Sequence, residues 1–181
     1  MPDWPVVETL ELTARGLVLR PWCSQDAPAV FDALREPEIA RWNPQGDIPD
    51  LAAAREWIRR RADPSTGVSY AVTDGTGLLG SVSLRRMGAD YATIGYWTVA
   101  AARGRGVATR AVARLAEWGF AEDGLHRIEL CHAVANAASC RVAQRAGFTL
   151  EGTLRESYRF GDGHRHDEHL HARLATDPRP A

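Results

Sequence analysis

The spacing of apolar residues divides the chain into short alternating runs and longer runs at helical period. "LVLRPW", Leu17 to Trp22, alternates and predicts a strand, and Ser24 caps a predicted helix running to about Arg35, on which Val30, Phe31 and Leu34 share a face. "NPQGDIPD" predicts a loop. "LAAAREWIRRRA" predicts a second helix, with Leu51, Ala54 and Ile58 at helical spacing and its arginines gathered towards the C-terminal end, where cations suit the dipole. From Ser69 the period falls to two: "SYAVT" and "LLGSVSLRRM" flank the hairpin signal "DGTG", and "YATIGYWTV" predicts a third strand. The glycine-punctuated turn "AARGRGVAT", residues 101 to 109, then leads into a predicted helix from about Gly106 to Ala121, with Ala108, Ala111, Val112 and Leu115 on one face. "RIELCHAV" predicts a strand, "NAASCRVAQRAGF" a helix closed by Gly147, and the remainder two strands, roughly Thr149 to Phe160 and His164 to Leu174. This order predicts a mixed α/β sheet, and the crossover from "YATIGYWTV" through a helix to "RIELCHAV" makes those two strands parallel neighbours.

Composition narrows the picture. The 181 residues suit one domain with a real core, since a chain of this size buries about 70% of its unfolded surface. A formal net charge of −1 gives no global reason to expect nucleic acid or an anionic membrane as a partner, so any anion recognition must be local. Three cysteines at no metal-ligand spacing, Cys23, Cys131 and Cys140, read as buried thiols in a reducing compartment. The N-terminal "MPDWPVVETLEL" lacks the pattern of a signal peptide, and no run approaches the ~18 apolar residues of a membrane span. The expected location is the cytoplasm.

The turn at 101 to 109 is the candidate for local anion recognition. The first amides of any helix lack intrahelical partners. Gly104 and Gly106 let the backbone approach a phosphate, the helix dipole favours negative charge, and Arg103 and Arg105 add cations. A pyrophosphate suits this better than an isolated carboxylate. The string is no Walker loop, because no Lys-Ser or Lys-Thr follows a glycine, and a poor dinucleotide fingerprint, because Thr109 occupies the third glycine position. A mobile arginine-rich surface loop is the competing reading. The second segment favours the anion site: Asn136 is a good N-cap and Ser139 lies in the first helical turn, so both polar groups stand at a helix entrance.

Together the two segments resemble the GNAT superfamily of acetyltransferases, whose coenzyme A signature is matched in full by Arg103, Gly104, Arg105, Gly106, Val107 and Ala108. "IGYW" (Ile94 to Trp97), the Asn136 to Ser139 spacing, "AGF" and "LEGTLRE" are similar to the RimJ/RimL branch, which acetylates protein N-termini and, in relatives, small amines. The resemblance implies a GNAT acyl-CoA N-acyltransferase fold: a mostly antiparallel twisted sheet of about seven strands with one splayed parallel pair and about four helices. It covers residues 17–174, leaving 1–16 as an N-terminal extension and 175–181 as a flexible tail.

The implied activity is transfer of the acetyl group of acetyl-CoA directly to a primary amine, on a protein N-terminus or a small molecule such as a polyamine or antibiotic, by a cytoplasmic monomer or homodimer. In the family the strand before the turn is bulged and splayed, and free main-chain groups, here of Trp97, Thr98 and Val99, hold the pantetheine and polarise the thioester. The pyrophosphate is expected on the amides from Arg103 to Ala108, with help from the Thr109 hydroxyl. Asn136 is a ligand contact or cap. Ser139 matches the position proposed to protonate the leaving thiolate; alternatively it hydrogen-bonds coenzyme A or its own backbone. The glutamate expected as general base beyond the "EG" pair is replaced by Tyr158, with Glu156 nearby; on an alternating strand both point to one face, so either reaches the site or acts through water. Glu151 reads as structural, and Thr93 stands where relatives often carry an acid. A non-catalytic acyl-CoA binding or sensing module is the alternative that the Tyr158 departure keeps open.

Trp97 and Trp118 read as core, whereas Trp42 lies where relatives wall the acceptor pocket, with Tyr158 as a second substrate contact. "GDGHRHDEHLH" holds four of the six histidines, and Asp167, His169 and His171 share a strand face as a ligand triad would. The resemblance instead places Asp167 and His171 at positions of core hydrogen bonding and substrate-face polarity, and no metal is expected.

Overall fold

The structure, a computed structural model, describes residues 11–63, 65 and 67–180; most of the expected N-terminal extension, 1–10, lies outside the described residues. The chain runs β1 (Leu12–Ala14), β2 (Leu17–Pro21), a 3-10 turn, α1 (Ala27–Leu34), α2 (Pro37–Trp42), α3 (Leu51–Arg61), β3 (Val68–Thr73), β4 (Leu78–Arg86) and β5 (Tyr91–Thr98). A further 3-10 turn (Ala100–Ala102), α4 (Val107–Ala121), β6 (Arg127–Ala133), α5 (Ala137–Arg145), β7 (Thr149–Arg159) and β8 (Arg165–Leu174) follow. The strands form one eight-stranded sheet in the order β1-β2-β3-β4-β5-β6-β8-β7. The mixed α/β architecture is as expected from the sequence, with two additions. β1 pairs with β2 through Leu12↔Leu19, so the sheet begins before residue 17. The six-residue α2 follows Glu36, with Pro37 at its first position, where a missing amide proton costs nothing.

Each helix lies where its apolar stripe finds a sheet face. On α4 the buried stripe is Val107, Ala111, Val112, Leu115, Ala116 and Trp118, which packs with Ile94, Ile128 and Leu130. Ala108, expected on that stripe, is only half-buried. The opposite face, under α1 to α3, is filled around three tryptophans: Trp22 meets Trp57 edge-on at 5.1 Å and Trp97 at 6.3 Å. Trp97 and Trp118 are both buried. The indole N–H of Trp22 donates to Ser69 Oγ at 3.1 Å, satisfying its polar edge.

The pair that shapes the site is β5 and β6, the one parallel neighbour pair among the described strands. Their register runs from Tyr91↔Arg127 to Thr93↔Glu129 and stops there, while β5 continues to Thr98 and β6 to Ala133. The sheet therefore opens into a wedge between the C-terminal halves of the two strands. The bulge expected in β5 is not found: its pairing with β4 is continuous from Arg86↔Ala92 to Gly80↔Thr98. The opening comes from the end of β5–β6 pairing beyond Thr93 and Glu129.

Candidate active site

At the end of β5 the Val99 amide donates to Leu79 O at 3.0 Å. Alternation of an antiparallel ladder then turns the main-chain groups of Tyr96 and Thr98 the other way, into the wedge. Two side chains confirm that direction: Asn43 Nδ2 donates to Tyr96 O at 2.8 Å and Arg103 Nε to Thr98 O at 3.2 Å. Of the expected pantetheine contacts, Thr98 thus faces the opening, whereas the Val99 amide is engaged with β4.

The turn comes next. Gly104 and Gly106 have φ of +74° and +72°, a left-handed conformation that side-chain-bearing residues adopt only under strain. A Cβ added at either would meet nothing within 4 Å. The requirement here is conformational rather than steric. Among the described residues, the amides of Gly104, Arg105, Gly106, Val107, Ala108 and Thr109 have no hydrogen-bond acceptor, so the turn presents a row of unpaired donors at the start of α4.

The two arginines do something different from what their sequence position suggests. Arg103 pairs with Glu36 at 2.6 Å, and the same carboxylate accepts the Ala100 amide. Arg105 reaches Asp74 at 3.5 Å. Both side chains tie the turn to neighbouring elements, and Arg103 also lines the cavity. Arg141 and Arg145, exposed on α5, line the same cavity and have no acidic partner among the described residues.

Across the wedge, the Asn136 side chain caps α5 by accepting the Ser139 amide at 3.0 Å. Ser139 is buried, and its Oγ lies 2.6 Å from the Tyr96 hydroxyl. Burial pushes the Tyr96 phenol up to about 12, so it stays protonated through the neutral range.

A cavity of about 470 Å³ joins these parts. On the α4–α5 side it is bounded by Gly104, Gly106, Ala108, Thr109, Asn136 and Ser139. On the other side of the sheet its wall is Glu38, Trp42, Tyr158, Phe160, Cys131 and Glu168. There the Trp42 indole N–H donates to Glu38 Oε2 at 2.9 Å, and Phe160 stands edge-on to Trp42 at 5.9 Å and to Tyr158 at 4.9 Å. Burial raises the Glu168 carboxyl, partly opposed by the Ser157 hydroxyl, which donates to it at 2.7 Å. Cys131 borders the cavity and Cys23 is exposed, which corrects the expectation of three buried thiols. Cys131 is itself exposed at the residue level; partial enclosure of its sulfur by the strands, then Glu168 and Glu129, push the thiol up to about 12, so it is not a thiolate.

The structure brings Trp42, Tyr158, Thr98, Asn136 and Ser139 to one cavity and does not bring Glu156 there. β7 shifts register between Leu154 and Tyr158, and Glu156 sits in that bulge with φ +48° and its amide bonded to Asp167 Oδ1. The alternation that would align it with Tyr158 is broken. Glu151 pairs with Arg127 at 2.5 Å, a structural contact. Sequence reading missed Tyr96, Glu168, Arg141 and Arg145; the alternation of β8 was the available signal for Glu168, which faces away from Asp167, His169 and His171.

Residues 16–149 match the family model described as "Acetyltransferase (GNAT) domain". The chain belongs to the GNAT acetyltransferase family. Within it, this GNAT chain is 34% identical over 114 residues to YdaF of Bacillus subtilis (strain 168), which is provisionally named a ribosomal N-acetyltransferase; the match spans 62% of this chain and 61% of YdaF. It is 26% identical over 176 residues to YoaA of the same organism, an uncharacterized N-acetyltransferase, covering 93% of this chain and 96% of YoaA. Mycobacterium smegmatis RimJ, solved in complex with CoA-disulfide, superposes with a TM-score of 0.80 at 25% identity, over 92% of this chain and 87% of RimJ. Among the described residues no helix is long and apolar enough to cross a membrane.

Proposed function

We propose that this GNAT protein transfers the acetyl group of acetyl-CoA to a primary amine of the RimJ/RimL type of acceptor, a protein N-terminus or small amine. The observation that carries this reading is the row of unpaired amides from Gly104 to Thr109 opening into the same cavity as the β5–β6 wedge. The coenzyme diphosphate lies on those amides, with the α4 dipole behind it and Arg141 and Arg145 available to its remaining phosphate charge. The pantetheine arm follows the wedge, where the main-chain groups of Tyr96 and Thr98 continue the missing ladder. A Thr98 N–H aimed at the thioester oxygen stabilises the charge that develops there, in the manner of an oxyanion hole.

The acceptor enters from the opposite side, between Trp42, Tyr158 and Phe160. Glu38 and Glu168 give that side a negative character suited to an ammonium, and the aromatic faces suit it further. Glu168 takes the ammonium proton, a role its raised pKa fits. The neutral nitrogen then attacks the thioester carbon and the C–S bond breaks; Ser139 passes a proton to the departing thiolate and takes one in turn from Tyr96, while the remaining proton of the acylated nitrogen leaves to solvent, from which Tyr96 is reprotonated. The free cysteines suit a reducing, cytoplasmic setting. The test is a thermal-shift titration with acetyl-CoA followed by thiol release and product mass across peptide N-termini, polyamines and aminoglycosides. Acetylated product is expected; stabilisation without product from any acceptor would favour a non-catalytic acyl-CoA module, and no stabilisation at millimolar acetyl-CoA would reject the cofactor.

A further inference from the structure

Beneath α5, on the side of the sheet away from Glu168, three imidazoles and a thiol converge. His132 on β6 is the direct cross-strand partner of His169 on β8, and His171 lies two residues further along the same face of β8. Cys140, one turn into α5, closes the group from above, with its Sγ 3.8 Å from His171 Nε2. Each of the four offers one ligand atom, and these atoms all lie within 4.8 Å of one another. His132 and His171 are only 5% and 0% exposed.

The hydrogen bonding is incomplete in a directed way. His132 Nδ1 lies 2.8 Å from Ala133 O and donates to it, which fixes the ring and leaves Nε2 as a bare lone pair. That buried Nε2 has no partner, and neither has His169 Nδ1, while the His171 ring is in reach of the Phe148 backbone. Unpartnered imidazole nitrogens in an interior are costly, and two in one cluster require an explanation. Simple stacking is not enough: His132 and His171 do stack at 5.2 Å, yet stacking satisfies no lone pair.

We propose that His132, Cys140, His169 and His171 form a transition-metal site that takes Zn2+. Imidazole and thiolate are the donors this ion prefers. Four ligands at about 2.0 to 2.3 Å place donor atoms about 3.5 Å apart, so closure from the present spread needs only side-chain rotation. Binding converts the Cys140 thiol to thiolate and releases its proton to solvent, while the imidazoles bind as neutral ligands. Four protein ligands leave no open position, so the ion is structural: it ties α5 to β6 and β8 beside Ser139. Asp167, which shares the strand face of His169 and His171, is outside the set, its Oδ1 being held by the Glu156 amide. The site is independent of acetyl transfer, and its test reads metal rather than turnover.

The full chain, stripped with chelator and dialysed, is loaded with Co2+ and separately with Zn2+. One ion per chain should survive gel filtration, Zn2+ should raise the melting temperature, and the Co2+ form should show a thiolate-to-metal charge-transfer band with the strong visible absorption of tetrahedral cobalt. Cys140→Ser should abolish the charge-transfer band, His171→Gln should weaken binding at least tenfold, and Cys23→Ser should leave both unchanged. X-ray absorption on the wild-type Zn2+ form, which needs no variant to fold, should give one sulfur and three nitrogens. Failure of the wild type to retain metal, a zinc shell without sulfur, or a charge-transfer band that persists in Cys140→Ser would overturn the proposal.

Discussion

The hydroxyls of Tyr96 and Ser139 meet at 2.6 Å across the wedge, one carried by β5 and the other by the first turn of α5. Because the two strands stop pairing at Thr93 and Glu129, this contact bridges the gap where the sheet is open. Ser139→Ala is expected to lower kcat by about 10² while coenzyme affinity changes little, because proton donation is felt in the transition state. Tyr96→Phe should reduce kcat less, since it removes only the group behind Ser139. Steady-state kinetics with calorimetric coenzyme binding checks both.

Gly104→Ala and Gly106→Ala test the turn. With φ near +70° and no neighbour in the way, each substitution introduces about 1 kcal/mol of backbone strain. A loss of this size lowers the melting temperature by about 2 to 4 °C in a chain of this length. The larger effect is expected on coenzyme affinity, roughly tenfold weaker, because relaxation of the strain rotates the unpaired amides. Calorimetry of coenzyme A binding measures it; equal affinity in both variants would count against a backbone cradle.

Glu168→Gln tests the base. A carboxyl acts as base only when deprotonated, so wild-type kcat/KM should rise with pH through a midpoint above the ordinary glutamate value, in keeping with the raised Glu168 pKa. The variant should lose about 10² in kcat and that limb of the profile together. Glu156→Gln, altering an exposed bulge residue, should leave the limb in place.

Stability at low pH should depend on Asp26. Its carboxylate is buried, receives both Nη atoms of Arg20 at 2.6 and 2.8 Å, and accepts the Cys23 amide at 3.0 Å. Burial alone would push it up, but Arg20 and that amide outweigh burial and hold it below its ordinary value. A depressed folded pKa contributes stability that is present above the unfolded value of about 3.9 and is lost as pH falls through the folded one. Asp26→Asn is expected to cost about 2 kcal/mol at pH 7 and to flatten the stability curve below pH ~4, read by urea denaturation.

Much of this was legible in the sequence because local rules decide it. Strand alternation, the α4 stripe, the Asn136 cap and the glycine turn each follow from a few consecutive residues. The three-residue β1 and six-residue α2 are too short to show a period. Glu156 was misdirected because the β7 bulge resets the alternation between Leu154 and Tyr158. The partners of Arg103 and Arg105 are Glu36 and Asp74, 67 and 31 residues away, and no local pattern announces them. The wedge itself depends on where β5 and β6 part, a property of packing rather than of either strand.

Amide resonances of the isotopically labelled protein, followed during a titration with coenzyme A, test the central claim most directly. The account expects large shifts and slowed hydrogen exchange at Gly104 to Thr109, with smaller changes at Tyr96 and Thr98. Saturable binding that leaves Gly104 to Thr109 unmoved would contradict it.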